Sequence, residues 1–168
     1  MDVIFTEHVI EHVSFFSGLS FIQEAFRILK PGGIFRVVAP MVETLISFQN
    51  DEIGKRFANE QLKPYFIVED TSLKKLGFSG IDFDPHPFLL DSLMKKHGHQ
   101  FIWSAGLMEE VLKKIGFNEV YIVSPGVSFI DPTTALERTI RGTNAEKLIA
   151  DYGPIVYDPE SGVVEARR

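Results

Sequence analysis

The 168-residue chain has no cysteine, which excludes disulfides, thiolate metal sites and cysteine nucleophiles. It also lacks any apolar run near the roughly 18–20 residues that cross a bilayer, and no basic–apolar–small leader opens it. A cytoplasmic location is the resulting expectation. There is no dense run of Lys or Arg, and the net charge is −6. Phosphate backbones require concentrated positive charge, so neither nucleic acid nor membrane is expected as a partner. Internal repeats, low-complexity tracts and linkers are missing too. The rest is ordinary for a globular protein, with 45% hydrophobic and 24% charged residues, and residues 1–168 are expected to form one domain with a buried core.

The first forty residues are the most informative. Asp2-Val3-Ile4-Phe5 is a short run of strand formers that opens into Thr6-Glu7-His8. After Ser17-Gly18, apolar residues recur at helical spacing (Leu19, Ile22, Ala25, Phe26, Leu29) until Lys30-Pro31-Gly32-Gly33 stops the helix. Ile34 to Ala39 reads as a second strand, closed by Pro40. Two strands joined by one helix are expected to run parallel, with functional groups gathered beyond their carboxyl ends. Those ends carry Thr6-Glu7-His8 and Pro40-Met41.

Further along, Val42 to Gln61 has mixed helical character, and Lys63 to Pro87 reads as an excursion over the strand ends. Phe88 to Lys96 suggests a short helix. Ser104 is a good N-cap for a helix through Leu107, Met108, Val111, Leu112 and Ile115, ended by Gly116. Asn118 to Ser124 alternates like a strand. Short helices are expected at Pro132 to Ile140 and Ala145 to Asp151. Val163 to Ala166 reads as a terminal strand, with an extended lead-in at Pro154 to Tyr157, and Glu165 to Arg168 as its solvated end.

The stretch DVIFTEHVIEHV, followed by FIQEAFRILKPGGIFRVVAP, resembles the middle of a class I S-adenosylmethionine-dependent methyltransferase. There the fourth strand, a helix ending in L-K-P-G-G and the fifth strand follow in this order. HGHQFIWSAGLMEEVLKKIGFNEVYIV resembles the segment leading to that family's sixth strand. VVEARR is similar to the seventh, which returns antiparallel between strands five and six. The resemblance implies an α/β, Rossmann-like, αβα-layered fold that is N-terminally truncated to strands four to seven. It also implies S-adenosylmethionine as cofactor and a small-molecule acceptor. The family's glycine-rich turn after strand one and its acidic residue after strand two have no counterpart here, since Pro31-Gly32-Gly33 is a helix stop. The fourth strand would then be an open apolar edge. Such an edge invites pairing, so a homodimer through Val3 to Thr6 is expected, or else a missing N-terminal half.

The resemblance also implies roles for particular residues. Thr6, Glu7, His8 and His12 would wall the methionine end of the cofactor. Met41, Phe101 and Trp103 would lie near the substrate opening, and His99 would serve as a base or orienting donor. Plainer readings stand beside these: Glu7 caps a turn, His12 bonds locally, Phe101 and Trp103 are core anchors, and His97 is a helix C-terminal cation. His8-Val9-Ile10-Glu11-His12 also spells H-x-x-E-H, a zinc-hydrolase pattern if both imidazoles share a helical face, with Glu24 or Glu43 as guesses for a third ligand. Asp82-Phe83-Asp84-Pro85-His86 is a further cation candidate, more simply a solvated turn. The reading adopted assigns no metal. It takes the chain as a methyltransferase, with a non-catalytic methyltransferase-derived subunit as the alternative and a zinc hydrolase as a remote one.

Overall fold

The computed structural model describes residues 1–47, 97–131 and 161–168, together with Lys75, Gly77, Pro87, Leu90, Asp91, Met94 and Lys95. Sequence expectations for Asp82 to His86, Pro132 to Ile140, Ala145 to Asp151 and Pro154 to Tyr157 lie outside the described residues, as do most of those for Lys63 to Pro87. Two compact units are present: residues Met1–Thr44 with Gln100–Arg168, and residues Leu45–His99.

The first unit is built on a mixed four-stranded sheet. Strand β1 (Val3–Glu7) leads through a single 3-10 turn (Ile10–His12) into helix α1 (Phe15–Ile28) and strand β2 (Ile34–Pro40). Helix α2 (Val42–Ser47) follows, then helix α3 (Ala105–Ile115), strand β3 (Val120–Val123) and strand β4 (Ser161–Arg167). The order across the sheet is β1-β2-β4-β3. β1 and β2 are parallel, as the intervening helix demands, whereas β4 is inserted antiparallel between β2 and β3. No described helix is long and apolar enough to cross a membrane.

Alternation along β2 and β4 divides the core. Phe35, Val37 and Ala39 of β2 join Val164 and Ala166 of β4 beneath Ile22, Ala25 and Leu29 of α1 and Met108 and Leu112 of α3. Val38, Val123 and Val163 point to the opposite face, with Phe5 packed against them. Helix α3 has the ends its sequence promises. The Ser104 side chain accepts from the Leu107 backbone N–H, and Gly116 closes the helix at φ 118°, a left-handed conformation that favours glycine. The Glu43 carboxylate adds a second N-terminal contact, accepting from Ala105 N–H at 2.9 Å.

Two expectations need correction. Helix α1 begins at Phe15, capped by Ser14, rather than after Ser17-Gly18, and Gly18 lies inside it. The reason is tertiary: a Cβ on Gly18 would stand 2.8 Å from the Trp103 ring, so glycine permits a close helix-to-ring approach. Of the strand end Glu165 to Arg168, expected to be solvated, Glu165 and Ala166 are buried, whereas Arg167 and Arg168 are partly exposed. Glu165 is fully buried and sits directly opposite Arg36 in the β2–β4 register. Arg36 donates to Glu165 at 2.7 Å and to the Val127 carbonyl at 2.8 Å. Glu165 also accepts from the Ser128 hydroxyl and from the Phe129 and Ile130 backbone N–H groups, fastening the segment after β3 to this face. Arg168 lies over the Phe26 ring, 4.7 Å from its centroid, and donates to the Arg27 carbonyl at 3.2 Å.

Candidate functional site

The polar groups beyond the carboxyl ends of β1 and β2 gather around His8. This is the one non-glycine residue of positive φ among the described residues, at 51°. Left-handed backbone is uncommon outside glycine and costs on the order of 1–3 kcal/mol, although histidine tolerates it better than most. The turn it makes is held by His8 N–H donating to the Val38 carbonyl at 2.9 Å. The imidazole then bridges two elements. Nε2 lies 3.1 Å from the Ser161 hydroxyl, and Nδ1 lies 3.2 Å from Glu11 Oε1. Ser161 reaches this place because the β2–β4 register sets it opposite Pro40, at the carboxyl end of β2.

Glu11 occupies the 3-10 turn and is 0% exposed, yet neither carboxylate oxygen has a hydrogen-bond partner among the described residues. The His8 approach at 3.2 Å and a His12 Nε2 approach at 3.9 Å count as ion-pair contacts without hydrogen-bond geometry. The turn itself is firmly placed. The Glu11 carbonyl accepts from Gln100 N–H at 2.7 Å and Phe101 N–H at 3.3 Å, and the Gln100 side chain donates to the His12 carbonyl at 2.8 Å. Thr6, buried at the end of β1, has a hydroxyl without a hydrogen-bond partner among the described residues.

Of the residues singled out from sequence, Thr6, Glu7, His8 and His12 are thus brought to one end of the sheet. Met41 and Trp103 are enclosed in the apolar core and joined by a backbone bridge, with the Met41 side chain packed over Gly162. Phe101 is partly buried, 5.1 Å centroid to centroid from Trp103 and 5.0 Å from Phe15. These are the surroundings of the core anchors that the plainer reading described. His99 belongs to the other unit, where it is buried and stacks on His97 at 5.7 Å.

The helical geometry assumed for H-x-x-E-H does not form. Only Ile10–His12 is helical, in a 3-10 turn, and His8 precedes it in a left-handed conformation. The guessed third ligands are engaged elsewhere. Glu43 caps α3, and Glu24 pairs with Arg27 on the α1 surface, a hydrogen bond that holds the Glu24 carboxyl below its usual range. Ser161 was not foreseen, and nothing local marks it: only the register of β4 makes it a neighbour of His8. Burial of Glu11 was equally hidden, because a lone Glu between apolar Ile10 and exposed His12 looks like a surface residue.

No protein-family model matches the chain, and no curated protein sequence matches it. Among solved structures, a SAM-dependent methyltransferase from Archaeoglobus fulgidus is similar over 100% of this chain and 59% of its own, at a TM-score of 0.45 and 13% sequence identity. The chain therefore spans less than two thirds of that protein's length.

Proposed function

We propose that this chain is a methyltransferase-type α/β protein that binds S-adenosylmethionine and serves methyl transfer to a small acceptor. One observation carries the reading: the strand order β1-β2-β4-β3, with the last strand inserted antiparallel. That is the arrangement implied for strands four, five, seven and six by the residues of β1, the K-P-G-G helix end and VVEARR. The donor set at the β1 end suits the polar methionine end of the cofactor. The buried Thr6 hydroxyl has no hydrogen-bond partner among the described residues, and Glu7, His8 and His12 stand beside it in sequence. Nothing in the chain corresponds to the glycine-rich turn and acidic residue that would hold the adenosine end.

When bound, the cofactor supplies an electrophilic methyl group for in-line displacement, a reaction driven chiefly by positioning. This chain's part is to orient one end of that assembly through Thr6 and the tethered His8 ring.

Calorimetric titration with S-adenosylhomocysteine and S-adenosylmethionine tests the reading. Binding at micromolar strength is expected, about tenfold weaker or worse in His8→Ala, a loss of roughly 1.4 kcal/mol. A folded sample that binds neither compound would favour the non-catalytic subunit instead.

The homodimer belongs to the same proposal. Among the described strands β1 is an edge, paired only with β2, and Val3 on it is exposed. An apolar edge of this kind pairs readily, and lysine blocks such pairing. Sedimentation equilibrium should give a dimer that dissociates in Val3→Lys; a monomer at all accessible concentrations would exclude it.

A further inference from the structure

We propose that Ser161, His8 and Glu11 form a nucleophile–base–orienter triad, with Ser161 Oγ accepting acyl groups from small activated esters. The inference goes beyond the methyl-transfer reading and does not depend on it. Three separate parts of one compact unit supply the members: the start of β4, the left-handed residue after β1 and the 3-10 turn. The His8 ring stands between the other two side chains. Its Nε2 lies 3.1 Å from the Ser161 hydroxyl and its Nδ1 lies 3.2 Å from Glu11 Oε1. A hydroxyl at one ring nitrogen and a carboxylate at the other is what an activated serine requires, whatever the order of the residues along the chain.

Glu11 sets the direction of the relay. A carboxylate only accepts hydrogen bonds, and burial makes an unmet one costly. Both Glu11 oxygens are buried without a hydrogen-bond partner among the described residues, so their pull on a nearby N–H is strong. His8 Nδ1 is nearer than His12 Nε2, at 3.2 against 3.9 Å. The His8 hydrogen therefore belongs on Nδ1, which leaves the Nε2 lone pair to accept from the Ser161 O–H. The Nδ1 contact is not aligned as a hydrogen bond, and catalytic contacts of this kind often tighten only when substrate is bound. The strained backbone of His8, fixed by its N–H on the Val38 carbonyl, holds the ring in this bridging position.

Burial is graded along the triad. Glu11 is closed to solvent, the His8 side chain is 31% exposed and Ser161 is 7% exposed. So narrow an opening at Oγ favours acetyl-sized groups over long chains. In the reaction Oγ attacks the ester carbonyl while its proton passes to His8 Nε2. The bond from the carbonyl carbon to the leaving oxygen then breaks, and the alcohol or phenol departs with that electron pair. His8 returns the proton to the leaving group or to solvent. Water attacks the acyl-serine through the same relay, releasing the acid and restoring the Ser161 hydroxyl.

The full chain, without cofactor, is mixed with p-nitrophenyl acetate while p-nitrophenolate release is followed, and the quenched product is mapped by peptide mass. A burst approaching one equivalent per chain is expected, with the acetyl group on Ser161. Ser161→Ala should abolish the burst, and His8→Ala should slow it about 10²–10⁴-fold, the usual contribution of a general base. Glu11 acts as a positioning residue and is read separately. Heteronuclear NMR of the labelled imidazoles should show neutral His8 as the Nδ1–H tautomer. Glu11→Leu, which removes the acceptor, should raise the Nε2–H form and slow acylation. Neutral His8 protonated at Nε2 in the native chain would overturn the relay, even if the Glu11 variant fails to fold. No burst from the folded chain would overturn the proposal. So would release undiminished in Ser161→Ala, with the acetyl group on lysine or histidine.

Discussion

Glu165→Ala lowers the stability of the folded chain by about 3–5 kcal/mol in urea or thermal denaturation, because it removes the carboxylate that faces the buried Arg36 guanidinium. Both side chains are 0% exposed, and the 2.7 Å contact joins residues that face each other across β2 and β4. Glu165 has further work to do. It accepts from Ser128 Oγ at 2.7 Å and from the backbone N–H groups of Phe129 and Ile130 at 2.6 and 3.2 Å. Those donors lose their acceptor in the same substitution, so the segment after β3 should loosen and exchange its amide hydrogens faster. Arg36→Met strands the Glu165 charge but leaves these donors in place, and its loss should sit at the low end of the interval. The double variant Arg36→Met/Glu165→Met tests the attribution. Replacing a whole buried pair by apolar groups is often near neutral, so much of the loss should return, save the part owed to the backbone donors. Single variants that each cost under about 1 kcal/mol would show that the pair is not the anchor described.

Trp103→Ala should cost a similar 3–5 kcal/mol, the usual range for removing a large aromatic from a core. The ring is fully buried, with its centroid 5.4 Å from that of Phe15 and 5.1 Å from that of Phe101, and its edge fills the space above Gly18. That last contact makes a sharper prediction. An alanine at an interior helix position normally stabilises by about 0.5–1 kcal/mol relative to glycine. In the native chain Gly18→Ala should instead destabilise by about 1–3 kcal/mol, because its methyl would meet a ring held on several sides. With Trp103→Ala already present the clash is gone, and Gly18→Ala should become stabilising. A double-mutant cycle measures the coupling, expected within about 0.5–3 kcal/mol. Additive effects would mean that Gly18 is in the helix for some other reason.

Much of the fold could be read from local signals. Pro31-Gly32-Gly33 after a 3.6-residue periodicity, between two apolar runs, determines β1, α1 and β2. Ser104 and Gly116 bracket α3 in the same way. These features depend on neighbours in sequence. What could not be read depends on partners far along the chain. Gly18 looks like a helix boundary until Trp103 is placed over it. Arg36 inside Ile34-Phe35-Arg36-Val37 and Glu165 inside Val163-Val164-Glu165-Ala166 are charges of opposite sign amid apolar strands, a signal that was present, but it becomes a pair only once β4 lies beside β2. At the candidate site Thr6 and His8 follow from the rule that strand carboxyl ends carry function. Glu11 as a buried charge and Ser161 as a partner of His8 needed the backbone turn and the β4 register.

Crystallisation of the chain in the presence of S-adenosylhomocysteine, followed by structure determination, tests the central claim most directly. The account predicts that the ligand's amino-acid end lies beyond the carboxyl end of β1, within hydrogen-bond reach of Thr6 and the His8 segment. A ligand bound elsewhere on the chain, or none bound at saturating concentration in a lattice that leaves this end open, would contradict it.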